Sequence, residues 1–450
     1  MLNMKNFKTI LLTGIAFFMA ISCTDELELN DPGAIGDNIA LANDANVKAV
    51  LLGGYNALSN GAFFGGNTLR NSELLAANGE IVWSGTFSDP SDIFNKEMAA
   101  TSGDATNLWL SAYNAINIVN NVLSALDVVN AADQDQVEGE ALFIRGIAHF
   151  ELVRFFGLPY SAGNASTNLG VPIMLTPNSV ELVSRNTVEE VYTQVIDDLE
   201  MAESLLADGP NNGKASKQAA AAILSRVYLQ MGNYVEARDA ANRVISSGIY
   251  DLMPTIASCF NTGSTSEDIF DIPVSTADGI NNMQTFYAST ANGGRGDVEI
   301  QAAHVALYDG TDDRLDLIIT DPVTLELRSG KWLNAFGNVK IVRLAEMYLT
   351  RAECNQRLGT SVGDTPLNDI NEIRSRSSLD DLGAVTLGDI LLERRLELAH
   401  EGSRIHDVKR LQETITEGVD IYSYSDPLLV FPIPQREIDV NGNLIQNQGY

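Results

Sequence analysis

Cysteine, histidine and basic residues are all scarce in this chain of 450 residues. It has 3 Cys and 4 His, and its 29 Lys and Arg face 59 Asp and Glu, which gives a formal net charge of −30. Three cysteines cannot build a disulfide scaffold, and so acidic a surface repels phosphate backbones and disfavours nucleic-acid binding. The 13 Pro and 36 Gly are spread thinly, which excludes wholesale disorder. The 45% of hydrophobic residues suffice for one large domain or two.

Long hydrophobic runs are absent apart from one near the N-terminus. The run from Ile10 to Ile21 follows Lys5 and Lys8 and is too short to span a bilayer comfortably. A basic start, a short apolar centre and a small residue before the cut are typical of a secretory signal. We therefore predict a signal peptide over residues 1–22.

The segment Ala20-Ile21-Ser22-Cys23 resembles the bacterial lipobox, in which the cysteine becomes the new N-terminus and receives acyl chains. We predict Cys23 as the lipid attachment site. The alternative is an ordinary signal peptide that contains a cysteine, because Ala20 stands where lipoboxes usually have Leu. Thr24-Asp25-Glu26 is similar to the export tag of Bacteroidetes surface lipoproteins. The two other cysteines, Cys259 and Cys354, lie in apolar sequence and are predicted to be free and buried.

Helical periodicity dominates the rest of the chain. Apolar residues recur every three or four positions from Val137 to Phe155, which predicts a helix with one inward face. Thr187 with Glu190 has the spacing of a capping box and predicts the start of a second helix. Thr386 predicts a third, ending near Gly402.

Residues 217–245 have the pattern of a tetratricopeptide unit. Small residues and Tyr228 line a first helix, a turn follows at Met231-Gly232-Asn233, and a second helix returns through Tyr234 and Ala237. Such units cannot bury their faces alone and must stack on one another. Further helix pairs are predicted at residues 107–126 with 137–155 and at residues 347–359 with 366–376.

Two regions, residues 60–102 and 251–338, break the helical pattern. Both are rich in Gly, Asn, Thr and aromatic residues, and insertions of this length are usually functional. We therefore expect a mainly α fold in a single domain from residue 23 to 450. Its parts are a helical scaffold over about 40–250 and 339–411, the two insertions, and an extended C-terminal segment over 412–450.

The residues give no clear catalytic arrangement. The four histidines are far apart in sequence and there is no GxSxG elbow, so we interpret each His as a structural residue. These are His149, His304, His400 and His406. The loop Asp309-Gly310-Thr311-Asp312-Asp313 offers carboxylates but lacks the spacing of an EF-hand, which favours a solvated turn over a structural calcium site. Arg295-Gly296-Asp297 resembles an adhesion tripeptide and is interpreted as a loop. We predict no cofactor and no enzyme activity.

The remaining candidates for a functional role are aromatic residues in the two insertions. Exposed rings stack against the C–H faces of sugars, while neighbouring polar side chains hydrogen-bond the hydroxyls. The alternative is that these rings only anchor loops to the scaffold. The candidate ligand-binding residues are Trp83, Phe87, Tyr287, Trp332, Arg70 and Asn78, with Phe286 as a further ring outside the helical stripes.

Several motifs follow one another along the chain. They are ALFIRGIAHFELVRFFG at 141–157 with Gly-Val-Pro at 170–172, IVRLAEMYLTRAE at 341–353, Leu367-Asn368 with Ile373–Arg376, ERRLELAHEGSRIHDVKR at 393–410, and FPIPQREIDVN at 431–441 with QNQGY at 446–450. In this order and spacing they resemble the SusD/RagB family of outer-membrane nutrient-binding lipoproteins. The likeness covers nearly the whole chain.

The resemblance implies a tetratricopeptide-like scaffold that carries a variable, loop-rich region with the ligand site. It also implies a glycan ligand, no bond cleavage, and a SusC-like TonB-dependent transporter on which the lipoprotein sits as a hinged lid. The protein would then be anchored by lipid to the outer membrane and face the cell exterior.

The motifs also have a physical interpretation without the family. Glu393, Arg394, Glu397, Glu401 and Arg404 recur every one to four positions, so we predict ion pairs along one helix face that also bind the C-terminal segment. The stiff segment Phe431–Pro434 is predicted to lie extended across the scaffold.

Three other functions stay open from the sequence. One is a peptide-binding member of the same architecture, for which the acidic surface would favour basic peptides. Another is an extracellular glycoside hydrolase whose carboxylate pair cannot be picked out among 59 acids. The last is an adaptor that binds only protein partners through its helical repeats.

Overall fold

The computed structural model describes residues 40–177, 181–210 and 212–450. Within these residues the chain forms fifteen α-helices. They are α1 Asp44–Leu58, α2 Asn67–Leu75, α3 Ser88–Asn95, α4 Gly103–Ser124, α5 Gln134–Phe156, α6 Val188–Leu205, α7 Lys217–Met231, α8 Tyr234–Ser246, α9 Asn282–Tyr287, α10 Ala302–Val305, α11 Leu344–Leu358, α12 Pro366–Ser375, α13 Leu387–Glu397, α14 Arg404–Leu411 and α15 Gln435–Val440. The fold is mainly α, as the sequence predicts.

Consecutive long helices pack against each other in antiparallel pairs, which makes the tetratricopeptide-like scaffold. The predicted pairs are confirmed as α4 with α5, α7 with α8, and α11 with α12. At the α7–α8 turn Gly232 has φ 77°, a left-handed conformation that a side chain rarely adopts. α8 also packs on α11, so the units stack along the chain.

Helix α5 is the centre of the core and is buried on nearly all sides rather than along a single face. The reason is that it contacts α1, α4 and α6 together. Its aromatic rings meet rings of distant elements edge to face, with centroids 5.0 Å apart for Phe143 and Phe270 and 5.8 Å apart for Phe150 and Tyr192. The single apolar stripe seen in the sequence understates this burial.

The predicted helix starts are confirmed at both capping boxes. The Thr187 hydroxyl accepts from the Glu190 amide at 3.2 Å, while Glu190 Oε2 accepts from the Thr187 amide at 2.8 Å. Thr386 and Asp389 repeat this exchange at the start of α13. That helix ends at Glu397, earlier than the predicted Gly402. Gly402 has φ 80°, and a Cβ there would lie 2.7 Å from the Cα of Leu69, so the backbone leaves the helix to approach α2 closely.

Eight short strands complete the described chain. They are β1 Ile81–Trp83, β2 Asp268–Ile272, β3 Val298–Ile300, β4 Ile318–Thr320, β5 Leu327–Ser329, β6 Val339–Arg343, β7 Thr414–Glu417 and β8 Asp420–Ser423. One sheet has the order β1-β3-β5-β4, and its β1 and β3 pair antiparallel with Ile81 opposite Ile300 and Trp83 opposite Val298. The two insertions therefore join into one lobe. The first insertion, residues 60–102, also contains α2 and α3.

The charged residues of the 393–410 motif form a buried ion-pair network, but not along one helix face as predicted. Glu397 is fully buried, and its carboxylate binds Arg376 and Arg343 from other elements. Arg394 likewise pairs with Glu346 on α11 and with Asp407 on α14. Because a buried charge without a partner is very costly, the partners must come from whichever elements surround it.

The C-terminal segment packs against the end of α5, and of the 393–404 charges Arg404 binds it, with Nη2 donating to Glu413 Oε2 at 2.8 Å. The Phe431 amide donates to the Phe155 carbonyl at 2.7 Å, and the two rings lie 4.9 Å apart. Arg185 donates to the Ile445 carbonyl and to Asn447 Oδ1, both at 2.9 Å. The segment also contains the β7–β8 hairpin and α15, so it is less extended than predicted.

Cys259 and Cys354 are free and buried, as predicted. The predicted signal peptide at residues 1–22 and the predicted lipid site at Cys23 lie outside the described residues. None of the helices in the described ranges combines the length and apolar character needed to cross a bilayer.

Candidate functional site

The aromatic residues of the two insertions meet where β1 pairs with β3. Trp83 at the end of β1 and Phe87 just after it both contact Phe286 of α9. The ring centroids of Trp83 and Phe286 are 5.7 Å apart, and those of Phe87 and Phe286 are 6.2 Å apart in an edge-to-face arrangement. Together with Arg70 and Arg295, described next, these rings form what we call the Phe87 cluster.

Phe87 is the ring of this cluster that solvent reaches. It immediately precedes α3 and is 48% exposed, whereas Trp83 and Phe286 are 7% and 8% exposed. The short turn before it depends on Gly85, since a Cβ there would lie 2.5 Å from Trp83 Cζ2 and 2.6 Å from Asp297 Cγ. The local sequence thus folds the turn tightly and leaves Phe87 at the surface.

Arg295 covers one side of Phe87. Its Cζ lies 4.5 Å from the ring centroid, which is the geometry of a cation–π contact. The guanidinium is fixed by Asp297, whose Oδ2 accepts from Arg295 Nε at 2.6 Å, and by Thr86, whose Oγ1 accepts from Nη2 at 3.3 Å. The Arg295-Gly296-Asp297 tripeptide is therefore the loop that leads into β3 and positions Phe87.

Arg70 lies beneath the cluster and does not offer donors to a ligand. It is 1% exposed, and its Cζ lies 4.4 Å from the Phe286 centroid. Its Nη2 donates to Asp104 and, at 2.7 Å, to Asn71 Oδ1. Burial lowers the pKa of Arg70 and raises that of Asp104, and their mutual attraction opposes both shifts. Arg70 thus supports Phe286 from below instead of binding sugar hydroxyls.

The structure places Tyr287 and Trp332 in the interior, so neither ring face is open to a ligand. Trp332 is 3% exposed, donates from Nε1 to the His400 carbonyl at 2.9 Å and packs on Phe260 with centroids 5.7 Å apart. Tyr287 is fully buried, with its ring 5.6 Å from that of His400. Both are packing residues that hold the insertion on the scaffold.

Asn78 has a structural contact as well. Its Oδ1 accepts from the Thr416 amide at 2.8 Å and so ties the β7–β8 hairpin to the turn before β1. Of the residues proposed from the sequence, Trp83, Phe87 and Arg70 meet in one cluster. Tyr287 is buried behind it, next to Phe286 and close to Arg70, while Trp332 and Asn78 have their contacts elsewhere. The sequence reasoning missed Arg295 as part of this site, although its tripeptide directly precedes the strand that pairs with Trp83.

Trp83 has one unusual feature. Its Nε1 is buried and has no hydrogen-bond partner within the described residues. A buried donor without an acceptor carries a desolvation cost of about 1 to 3 kcal/mol. The Trp83 indole therefore contributes ring packing to the cluster and no hydrogen bond within the described residues.

Of the titratable groups singled out from the sequence, the four histidines and Asp312 are buried, whereas Asp309 lies in an exposed turn. Each of the four histidines is buried, and burial lowers the pKa of His149 to about 3 and that of His304 to about 4. Asp309 accepts from the Thr311 amide at 3.0 Å, and Asp312 pairs with Arg314 at 2.7 Å. The described part of the chain has no group of three or more His, Cys, Asp or Glu placed to hold a metal ion.

Two protein-family models match the chain. The first, described as starch-binding and associating with the outer membrane, matches residues 40–229. The second, described as the SusD family, matches residues 331–450. Together they cover more than half of the chain.

Individual proteins match over most of their length. SusD-like protein P2 of Formosa agariphila is 24% identical over 520 aligned positions, which cover 99% of this chain and 100% of the relative. A SusD superfamily crystal structure from Bacteroides thetaiotaomicron superposes with a TM-score of 0.82 at 27% identity, covering 90% of this chain and 99% of that one. Surface glycan-binding protein A of Bacteroides uniformis superposes with a TM-score of 0.79 at 21% identity, covering 90% and 99%. At 21% identity, the likeness to surface glycan-binding protein A shows only that the two chains share a fold.

Proposed function

Because the chain belongs to the SusD family, we propose that it is a cell-surface lipoprotein that captures an oligosaccharide or polysaccharide nutrient. We further propose that it delivers this glycan to a SusC-like TonB-dependent transporter in the outer membrane, on which it serves as the lid. It binds without breaking a bond.

The exposed ring of Phe87 is the observation that carries the glycan-binding proposal. An aromatic ring held rigidly at a surface can stack on the C–H face of a sugar at little entropic cost. Arg295 and Phe286 hold Phe87 in place, and the Ser84, Thr86 and Ser88 side chains beside it are exposed and can exchange hydrogen bonds with hydroxyls. The starch-binding description of the matching family model supports the same ligand class.

Membrane attachment and the transporter partner rest on other grounds. Attachment rests on the lipobox-like segment that ends at Cys23 and on the outer-membrane association in the family model's description. The transporter rests on the family resemblance. Isolating the tagged full chain from outer membranes in mild detergent tests both, since a lipidated N-terminal cysteine and a co-purifying TonB-dependent barrel are expected together.

Affinity electrophoresis of the mature protein against a panel of soluble polysaccharides tests the glycan site. We expect at least one polysaccharide to retard the protein and Phe87→Ala to remove most of that retardation. Phe336→Ala is the matched control, because Phe336 is 41% exposed and lies outside the Phe87 cluster. Equal retardation of all three proteins contradicts the site, and release of reducing ends during the run contradicts binding without cleavage.

A further inference from the structure

We propose that the glycan taken by the Phe87 cluster carries no anionic group, neither a uronate carboxylate nor a sulfate ester. This inference rests on the proposed function and names the class of glycan that fits the site. The charges that surround the exposed ring support it.

Every guanidinium near the ring is already matched by a carboxylate of the chain. Arg295 Nε donates to Asp297 at 2.6 Å, and Arg70 pairs with Asp104 beneath Phe286. Arg328, on the neighbouring strand β5, is 2% exposed and pairs with Glu326. No cation of the Phe87 cluster is therefore left to neutralise an acidic sugar.

Carboxylates are in surplus at the same place. Asp89 and Asp92 lie on the first turns of α3 directly after Phe87, and neither has an ion pair within the described residues. Asp89 accepts only a neutral bond, from the Gly103 amide at 2.9 Å. Glu97 follows at the other end of α3 and lies close enough to repel Asp92. The local charge is negative, in line with the net charge of −30 for the whole chain.

An anionic sugar would lose its hydration here without gaining a partner. Recognition of a carboxylate or sulfate normally uses an Arg that can turn two N–H groups towards it. Arg295 Nε is held by Asp297, whose carboxylate is 6% exposed, so an anion at the remaining guanidinium N–H groups would share one positive charge with a buried carboxylate.

A glycan with hydroxyls alone meets none of these obstacles. Each hydroxyl both donates and accepts, so it can donate to a carboxylate or accept from a free guanidinium N–H without displacing an ion pair. The sugar's C–H face needs only the open side of the Phe87 ring.

The test compares one polymer in two charge states. Neutral soluble starch, xylan and mannan, each beside its carboxymethyl derivative, are titrated into the mature protein by calorimetry at low and high salt. We expect a neutral polymer to bind with little dependence on salt and its derivative to bind at least about 10-fold more weakly at low salt. The difference in affinity between a neutral polymer and its derivative should become smaller at high salt, because salt screens the repulsion.

Two variants check that the charges near Phe87 cause this preference. Asp297→Asn frees Arg295, and Asp89→Asn removes an unpaired carboxylate while leaving an acceptor for Gly103. Both should bind the carboxymethyl derivative several-fold more tightly than the unaltered protein does. Asp381→Asn, which makes the same charge change at an exposed position after α12, should not.

The outcomes separate the two proposals. A carboxymethyl derivative that binds as tightly as its neutral parent, or more tightly, overturns this inference and leaves glycan binding intact. Failure of every polymer in both forms overturns the proposed function and this inference with it.

Discussion

The guanidinium of Arg295 lies over the ring of Phe87, with its Cζ 4.5 Å from the ring centroid. The two residues come from different insertions that meet through the β1–β3 pair. Arg295 occupies one side of the ring, Phe286 touches it edge-on, and 48% of Phe87 stays exposed. This arrangement holds a single ring in a fixed orientation at the surface.

We expect Arg295→Ala to weaken glycan binding several-fold and to lower the free energy of unfolding by more than about 1 kcal/mol, because it also leaves the Asp297 carboxylate, 6% exposed, without its cation. An exposed cation–π contact contributes about 0.5 to 1 kcal/mol, but its loss lets the ring adopt other rotamers. Calorimetry and urea denaturation measure the two effects. The control is Arg243→Ala, which removes an exposed guanidinium paired with Glu203 on the scaffold and should leave binding unchanged.

The buried indoles of Trp83 and Trp332 should respond differently to substitution by phenylalanine. Trp83 Nε1 has no partner within the described residues, whereas Trp332 Nε1 donates to the His400 carbonyl at 2.9 Å. Trp332→Phe leaves that carbonyl without its donor and should cost about 1 to 3 kcal/mol more than Trp83→Phe. Urea denaturation of the two variants gives the difference, and a larger loss for Trp83→Phe would show that its N–H has a partner after all.

Neutralising Glu397 should be severely destabilising. Burial alone would raise its pKa, but Arg376, Arg343 and Arg314 outweigh burial and lower the pKa to about 2. Glu397→Gln removes the carboxylate that these guanidiniums share and leaves Arg343 and Arg376 only Glu267 and Glu401, and Arg314 only Asp312 and Glu393, which should cost about 3 kcal/mol. Glu203→Gln, at the exposed pair with Arg243, should cost less than about 1 kcal/mol. Similar losses in denaturant midpoint for the two variants would contradict the role of the buried network.

Acidification should destabilise the protein through its buried histidines. His149 Nε2 accepts from the Met174 amide at 3.3 Å, a bond that only the unprotonated nitrogen can make. Burial lowers the pKa of His149 to about 3 and that of His304 to about 4, against about 6.5 in an unfolded chain. Below about pH 6.5 the unfolded chain therefore binds more protons, and the stability present above that pH is lost as the pH falls. Urea denaturation between about pH 7 and pH 5 should show this decline.

Glu73 has the opposite effect on the pH dependence of stability, and its substitution serves as the control for the histidines. Burial raises the pKa of Glu73 to about 7, so the folded protein holds this proton over a range where the unfolded chain has released it. Its contribution to stability is present at low pH and lost as the pH rises towards 7. Glu73→Gln, which can still accept from the Gly402 amide, should therefore steepen the fall in stability on acidification. A flat pH profile in both proteins would show that these groups titrate alike in the folded and unfolded states.

The features that could be predicted from the sequence are those fixed by short-range patterns. The capping boxes at Thr187 and Thr386 and the turn at Gly232 involve residues within a few positions of each other, and all three are present. The ion-pair partners could not be predicted, because Glu393 binds Arg314, which lies 79 positions away. Helical spacing alone says nothing of such a partner.

The candidate site was predictable by region and only in part by residue. Trp83 and Phe87 meet in the cluster, but the same argument from composition selected Trp332, which the His400 carbonyl and Phe260 hold in the interior. The rings of Trp83 and Phe87 and the ring of Trp332 can all stack on a sugar by the same chemistry, so the residue type does not distinguish them. Exposure is decided by tertiary neighbours, and these are visible only once the insertions are folded together.

The link between β1 and β3 also sets an order of events in folding. Ser84, next to Trp83, donates from its amide to the Asp297 carbonyl across 213 positions of the chain. The helix pairs on either side need only neighbours in sequence and can form early, whereas this strand pair must wait for two distant segments to meet. The surface that carries Phe87 is thus the late-maturing part of the molecule, and it is assembled only once β3, which begins at residue 298, has paired with β1.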